Sequence, residues 1–176
     1  MESVMTKITR FAPSPTGTLH IGGVRTALFN FVYSKQQQGK FLIRIEDTDA
    51  ERSTREFEDN ILKGLADMGI VPDETPVRQS ERADLYQEAI SSIIDSGHAY
   101  YCNCSKERLE EMRSAQQAKG SKPQYDGKCR NLNLPHSDDT VLRLRTPQDG
   151  ELIFHDLVRG EVVFQNTELD DLILVR

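Results

Sequence analysis

No stretch of this 176-residue sequence is apolar for long enough to cross a bilayer; its longest aliphatic run is Leu172 to Val175. Met1 to Phe11 alternates polar and apolar side chains and lacks an apolar core of signal-peptide length. A cytoplasmic protein with no membrane partner is the resulting expectation. There is no surplus of positive charge: 22 basic against 28 acidic residues leave a net charge of -6. Composition therefore offers no broad attraction for nucleic acid, although a local basic stripe on an acidic protein can still hold a backbone. Cysteine is scarce and odd in number, three in all, which argues against a disulfide framework and leaves metal binding or burial. Internal repeats and low-complexity tracts are also missing. With 37% hydrophobic and 28% charged residues the chain has the balance of a folded globular protein, and its length suits one domain or two small ones.

Lys7 to Ala12 reads as a short strand, followed by the loop Pro13-Ser14-Pro15-Thr16-Gly17. From about Gly22 to Gln38, Val24, Ala27, Leu28, Phe31 and Val32 recur at helical spacing, and Gly39 stands where a C′ glycine would end that helix. Phe41 to Ile45 reads as a buried strand. Strand, loop, helix and strand in this order make the βαβ unit of a parallel sheet. Ser53 and Glu56 have capping-box spacing ahead of the apolar face Phe57, Ile61, Leu62, Leu65 and Met68, which Gly69 closes. Val71 to Pro76 is a turn-rich connector. A further helix is predicted from Ser80 to Gly97, a strand from His98 to Cys102, and a polar helix from Lys106 to Lys119. Short strands follow at Val141 to Leu144, Leu152 to His155, Glu161 to Phe164 and Leu172 to Val175. The change of pattern near Ser80 sets a boundary between an α/β module, 1–79, and a mixed α+β module, 80–176.

Arg10-Phe11-Ala12-Pro13-Ser14-Pro15-Thr16-Gly17-Thr18-Leu19-His20-Ile21-Gly22-Gly23 carries a strand through a stiff turn into a helix N-terminus. Such a terminus presents free N–H groups and a positive dipole end to an anion. Gly22 and Gly23 would let a nucleotide approach the backbone, and His20 could donate to a phosphate oxygen. A lone HxG triplet would equally suit a turn with a surface histidine. The triplet stands, however, within FAPSPTGTLHIGGVRTALFN, followed by FLIRIEDTD from Phe41 and RQSERADLY from Arg78.

Together these strings resemble the glutamyl-tRNA synthetase family of class I aminoacyl-tRNA synthetases, in register over essentially all 176 residues. In that family the HIGH element often ends in glycine, as at Gly23. The resemblance implies the first half of a Rossmann-type parallel-sheet catalytic domain followed by an insertion that grips the tRNA acceptor stem. It implies ATP with Mg²⁺, glutamate and tRNA-Glu as substrates and partners, and a monomeric full-length enzyme. The family's lysine-rich second motif and its anticodon-binding helical domains are not among these residues. The chain therefore reads as an N-terminal fragment, inactive in isolation. One departure lies at Leu65-Ala66-Asp67-Met68-Gly69, where the family commonly shows a tryptophan; this chain has none.

Residue roles follow from the same resemblance. His20 is the catalytic phosphate contact, and Pro13, Thr16, Gly17, His20, Gly22 and Gly23 surround ATP. Arg10, Ala12 and Ser14 line the amino-acid pocket, where a guanidinium fork suits a carboxylate. Glu46 meets the substrate amino group; its place at the C-terminal end of a strand is where open α/β sheets bind ligands. Asp49 is read as an acidic cap of the next helix.

Cys102-Asn103-Cys104, with Cys129 returning later, can supply three corners of a tetrahedral zinc site. Some relatives carry a structural zinc here and finish with Cys-x-His, but this sequence has Asn131 in the histidine position. The enzyme that glutamylates queuosine in tRNA-Asp instead uses a tyrosine four residues before its last cysteine, and Tyr125 stands there. His136 is the other candidate fourth ligand. That queuosine enzyme is the alternative reading within the class, as is a non-catalytic ATP- or tRNA-binding module for the fragment alone.

Overall fold

The computed structural model describes residues 6–175; residues 1–5, part of the stretch searched for a leader, and Arg176 lie outside the described residues. The chain divides into two compact units, one up to Tyr86 and one from Gln87.

In the first unit β1 (Ile8–Phe11), α1 (Ile21–Gln36), β2 (Lys40–Ile45), α2 (Arg55–Asp67) and β3 (Val77–Arg78) follow in order, then a 3₁₀ turn at Ser80–Arg82 and the start of α3 (Ala83–Asp95). The strands lie β1-β2-β3, all parallel. Their register sets Thr9 beside Phe41, Arg10 beside Leu42 and Phe11 beside Ile43. Because side chains alternate with period two, Phe11, Phe41, Ile43 and Ile45 share one face. That face is buried with Ala27 of α1 and with Ile61 and Leu65 of α2. Phe31 meets Phe41 edge-on, ring centroids 5.6 Å apart. Phe41 and Ile45 are wholly buried, each such side chain contributing about 1.5–3 kcal/mol. β2 is thus buried on one face, not both: Leu42 and Arg44 between the core positions stay half-exposed.

Local details depart from the sequence reading in three places. The left-handed position after α1 is Gln38, with φ 51°, not Gly39. Gly39 N–H donates to Ser34 O and Gln38 N–H to Lys35 O, a Schellman pair of bonds. Gly39 is required next door because a Cβ there would stand 2.0 Å from Lys7 O. The N-cap of α2 is Thr54, whose side chain accepts from Phe57 N–H, and not Ser53. Thr54 N–H is itself fixed by Pro15 O at 3.1 Å, which sets the chain direction one residue later than the capping-box spacing suggests. Asp49 caps no helix either; it accepts from the Arg52 backbone and guanidinium in a local turn.

β3 was not visible in the sequence, since two residues show no alternation. Arg78 anchors it, donating from Nε and Nη2 to the buried Glu58 of α2 at 3.0 and 2.6 Å. The pairing offsets the cost of burying that carboxylate and holds the Arg78 guanidinium above its ordinary pKa.

The second unit contains the rest of α3, β4 (Ala99–Cys102), α4 (Lys106–Ala118), β5 (Val141–Leu144), β6 (Glu151–Asp156), β7 (Gly160–Gln165) and β8 (Ile173–Val175). β4, β5 and β8 form an antiparallel sheet in the order β4-β5-β8, and β6 and β7 a separate hairpin. Ser105 caps α4 by accepting from Arg108 N–H. Asp171 is the polar centre: it accepts from Tyr100 Oη, Arg130 Nη1 and Thr146 N–H at 2.5, 2.7 and 3.0 Å. Among the described residues no helix is long and apolar enough to cross a membrane.

Candidate functional site

The loop after β1 is held near its start by two backbone contacts. Glu46 N–H, just past β2, donates to Pro13 O at 2.9 Å, and Thr54 N–H to Pro15 O. The loop then enters α1 at His20, the N-cap, whose Nδ1 accepts from Gly22 N–H at 3.2 Å. A neutral imidazole that accepts at Nδ1 carries its proton on Nε2, so His20 presents a donor on its outer edge. The ring itself is solvent-exposed.

Beside it lies a cleft of about 250 Å³ lined by Pro13, Ser14, Thr16, Gly17, His20 and Gly23, with Phe11, Thr18, Leu19 and Ile61 behind them. Six of the residues singled out in the sequence therefore meet round one opening. Arg10, Ala12, Gly22 and Glu46 do not line it. Gly22 has a structural requirement of its own. Its N–H is occupied by His20, and a Cβ there would meet the imidazole Cε1 at 3.0 Å, so the glycine accommodates the histidine ring. Gly23 similarly faces Leu19 and Phe11.

Arg10 shares the second face of the sheet with Leu42 and Arg44, by strand alternation. It is exposed and has no ion-pair partner among the described residues. Glu46 is paired with Arg44, both side chains partly buried. Arg44 was not singled out in the sequence; its position two residues before Glu46 on one strand was the available signal. Asp47 accepts from Ser80 N–H at 2.9 Å and from its hydroxyl. Burial acts to raise the Asp47 pKa, but the Ser80 hydrogen bonds, with Arg78 nearby, outweigh it and leave it lowered. Asn60 of α2, also missed, accepts from Leu19 N–H at 2.9 Å; nothing in the periodicity of α2 distinguishes it from its solvent-facing neighbours.

The second unit brings the three cysteines together, with their sulfurs all within 4.8 Å of one another. Tyr125 Oη lies 3.4 Å from Cys102 Sγ and 3.5 Å from Cys104 Sγ, and Cys104 Sγ is 3.5 Å from Cys129 Sγ. With Zn–S bonds of about 2.3 Å, tetrahedral coordination separates ligand atoms by about 3.5–3.8 Å, and these three spacings are close to that range. Cys129 N–H donates to Tyr125 Oη at 2.9 Å, support that an anionic phenolate could use. The Arg143 guanidinium lies 3.9 Å over the Tyr125 ring, and Arg108 Nη1 is 3.5 Å from Cys104 Sγ. Burial raises the Cys102 thiol, yet hydrogen bonds from Tyr125, the Cys104 backbone and Arg143 bring it down to about 7. Burial and the sulfur partners push the Tyr125 phenol upward.

The other two candidates for the fourth corner are elsewhere. His136 packs edge-on against Tyr101, with centroids 5.3 Å apart, and is not grouped with the thiols. Asn131 is exposed and accepts from Arg145. Arg130, next to Cys129, is ion-paired with Asp171 at 2.7 Å.

Residues 7–176 match the family described as tRNA synthetases class I (E and Q), catalytic domain. The chain is 51% identical over 172 residues to glutamate–tRNA ligase 2 of Halorhodospira halophila, covering 96% of this chain and 36% of that protein. It is 55% identical over 173 residues to the glutamate–tRNA ligase of Legionella pneumophila, covering 98% and 37%. Among solved structures it superposes on a glutamate tRNA ligase of Elizabethkingia meningosepticum, crystallised in complex with its amino acid, with TM-score 0.82 and 35% identity. That match covers 96% of this chain and 38% of the other. A glutamate–tRNA synthetase of Elizabethkingia anophelis gives TM-score 0.83 at 35% identity, covering 97% and 39%. This chain thus spans little more than a third of the length of these relatives. The parallel sheet with its helices is accordingly of the Rossmann type, and the chain belongs to the class I tRNA synthetases of the E and Q group.

Proposed function

We propose that the chain supplies the nucleotide- and amino-acid-facing wall of a cytoplasmic glutamate–tRNA ligase. In the reaction, a glutamate α-carboxylate oxygen attacks the α-phosphorus of ATP, the bond to pyrophosphate breaks, and glutamyl-adenylate forms. A 3′-terminal ribose hydroxyl of tRNA-Glu then attacks the carbonyl and AMP leaves. The observation that carries this reading is His20. Its Nδ1 is engaged by Gly22 N–H, which leaves Nε2–H directed outward beside the Pro13–Gly23 cleft.

Transfer at phosphorus depends on positioning and charge stabilisation more than on a covalent nucleophile. His20 Nε2–H and the start of α1 stabilise negative charge on the triphosphate; Mg²⁺, when bound with ATP, would supply further charge neutralisation. Pro13, Thr16, Gly17, Gly22 and Gly23 shape the loop around it. Arg10, exposed and without an acidic partner among the described residues, takes the substrate side-chain carboxylate in a two-pronged contact. Ala12 and Ser14 flank that pocket. Glu46 receives the ammonium, exchanging part of its pairing with Arg44.

Residues 80–176 form the acceptor-stem-binding insertion in this reading, and Cys102, Cys104, Tyr125 and Cys129 hold Zn²⁺. When bound, the ion supplies a structural cross-link and no chemistry of the transfer. Protein prepared without chelator should carry close to one zinc by elemental analysis; less than about a tenth of an equivalent would leave these side chains purely structural.

ATP–pyrophosphate exchange dependent on glutamate, measured in the protein that contains this domain, tests the assignment. His20→Ala should lower it by about two orders of magnitude. Exchange unaffected by His20→Ala would refute the reading. The tyrosine at the fourth corner of the thiol cluster favours one second reading, glutamylation of queuosine in tRNA-Asp. Charging of tRNA-Glu against tRNA-Asp separates the two.

A further inference from the structure

We infer that Asn60 and Gly64 of α2 are positioning residues for His20, acting through Leu19. The inference rests on the reading of the Pro13–Gly23 loop as the phosphate contact. Leu19 N–H donates to Asn60 Oδ1 at 2.9 Å. Its side chain packs into the space left by two helical glycines: a Cβ on Gly64 would stand 2.8 Å from Leu19 Cδ2, and one on Gly23 3.3 Å from Cδ1. Gly64 lies inside a 13-residue helix, where glycine lowers intrinsic helix stability. A seat for Leu19 accounts for it. Residues 60 and 64 are four apart and share one helix face, so α2 holds both the main chain and the side chain of Leu19.

His20 is the next residue. Its carbonyl accepts from Val24 N–H at 3.1 Å and its Nδ1 from Gly22 N–H, which ties the residue to α1 alone. Between the Pro15 carbonyl, held by Thr54, and this cap, the Leu19–Asn60 hydrogen bond is the one polar anchor of the loop among the described residues. α2 therefore sets the angle at which the loop enters α1, and with it the direction of the imidazole. Neither Asn60 nor Gly64 belongs to the cleft lining, so each acts on a phosphate only through His20.

The test uses ¹⁵N-histidine-labelled protein, with His20 assigned by His20→Gln, and three variants. In the parent the His20 ring should show a hydrogen-bonded Nδ1 acceptor and a protonated Nε2, and the Leu19 amide should be protected from exchange. Asn60→Leu removes the acceptor. It should expose the Leu19 amide, average the His20 tautomers and weaken ATP binding about tenfold, with the melting temperature little changed. Asn60→Asp keeps an acceptor oxygen and should restore the amide protection. Gly64→Ala should raise helix stability by its propensity while displacing Leu19, so a loss of the His20 signature at equal or higher melting temperature separates positioning from folding. An unaltered His20 signature in both Asn60→Leu and Gly64→Ala would overturn the inference whatever the nucleotide result. A parent protein that shows the signature but binds no ATP would instead count against the functional reading.

Discussion

The two units place their polar side chains differently, although the first also buries the carboxylate of one ion pair, Glu58 with Arg78. In the first, the groups with chemistry to offer (Arg10, Ser14 and His20) stand at the surface, where a buried strand face ends in a loop. Their supports lie in backbone contacts behind them, such as Glu46 to Pro13 and Leu19 to Asn60. In the second unit Asp171 and Arg143 face inward, and Arg143 Nη1 donates to Asp171 O. Asp171 is 7% exposed and Arg143 4%, and each is hydrogen-bonded within the unit. A polar group that a fold has already paired is a fastener. One that the fold positions and leaves facing solvent is available to a ligand.

Substitutions can break that contrast, beginning with the largest effect. Asp171→Ala strands Tyr100, Arg130 and the Thr146 amide together, so the second unit should lose about 3–5 kcal/mol of stability. Thermal melting with tryptic mapping would show the loss confined to that unit; equal loss in both would deny that the units have separate cores. Arg10→Ala should do the reverse, lowering glutamate activation about a hundredfold at nearly unchanged melting temperature. A large drop in melting temperature would make Arg10 another fastener.

Smaller effects sharpen the comparison inside the first unit. Thr54→Ala removes the α2 cap and should cost about 1 kcal/mol. Ser53→Ala should be neutral or slightly stabilising, since its buried hydroxyl has no hydrogen-bond partner among the described residues. Chemical denaturation of the pair decides which residue starts the helix. The smallest effect concerns acid. Asp47 is held below its ordinary 3.8, so its contribution is fully present above that value and is lost as pH falls through the lower folded value. Carboxyl ¹³C titration should place Asp47 below 3.8, and Ser80→Ala should move it upward. A value at or above 3.8 in the parent would remove Ser80 as a partner.

Much of the architecture could be read from periodicity. The αβ order of the first unit, the polar helix α4 and the four late strands all follow from spacings of two or 3.6 residues. The misses share a cause. β3 is two residues long, the α2 cap shifted by one position because Pro15 claimed an amide, and Gly39 proved necessary for a close approach to Lys7 and not for a left-handed turn. Each depends on a neighbour distant in the chain, which local spacing does not report.

The thiol cluster shows the same division at a site. The spacing of Cys102, Cys104 and Cys129 already proposed three donors; family resemblance offered Tyr125 as the fourth, and loop reach offered His136. Packing places the two differently: Tyr125 Oη lies 3.4 and 3.5 Å from two of the sulfurs, while His136 packs against Tyr101. At the loop between β1 and α1, residue order alone established a strand, a stiff turn and a helix N-terminus carrying histidine and two glycines. Which atoms remain available there is a tertiary matter. The imidazole occupies the Gly22 amide, and α2 holds Leu19, because hydrogen bonds and close contacts join residues up to 45 positions apart that no sequence period connects.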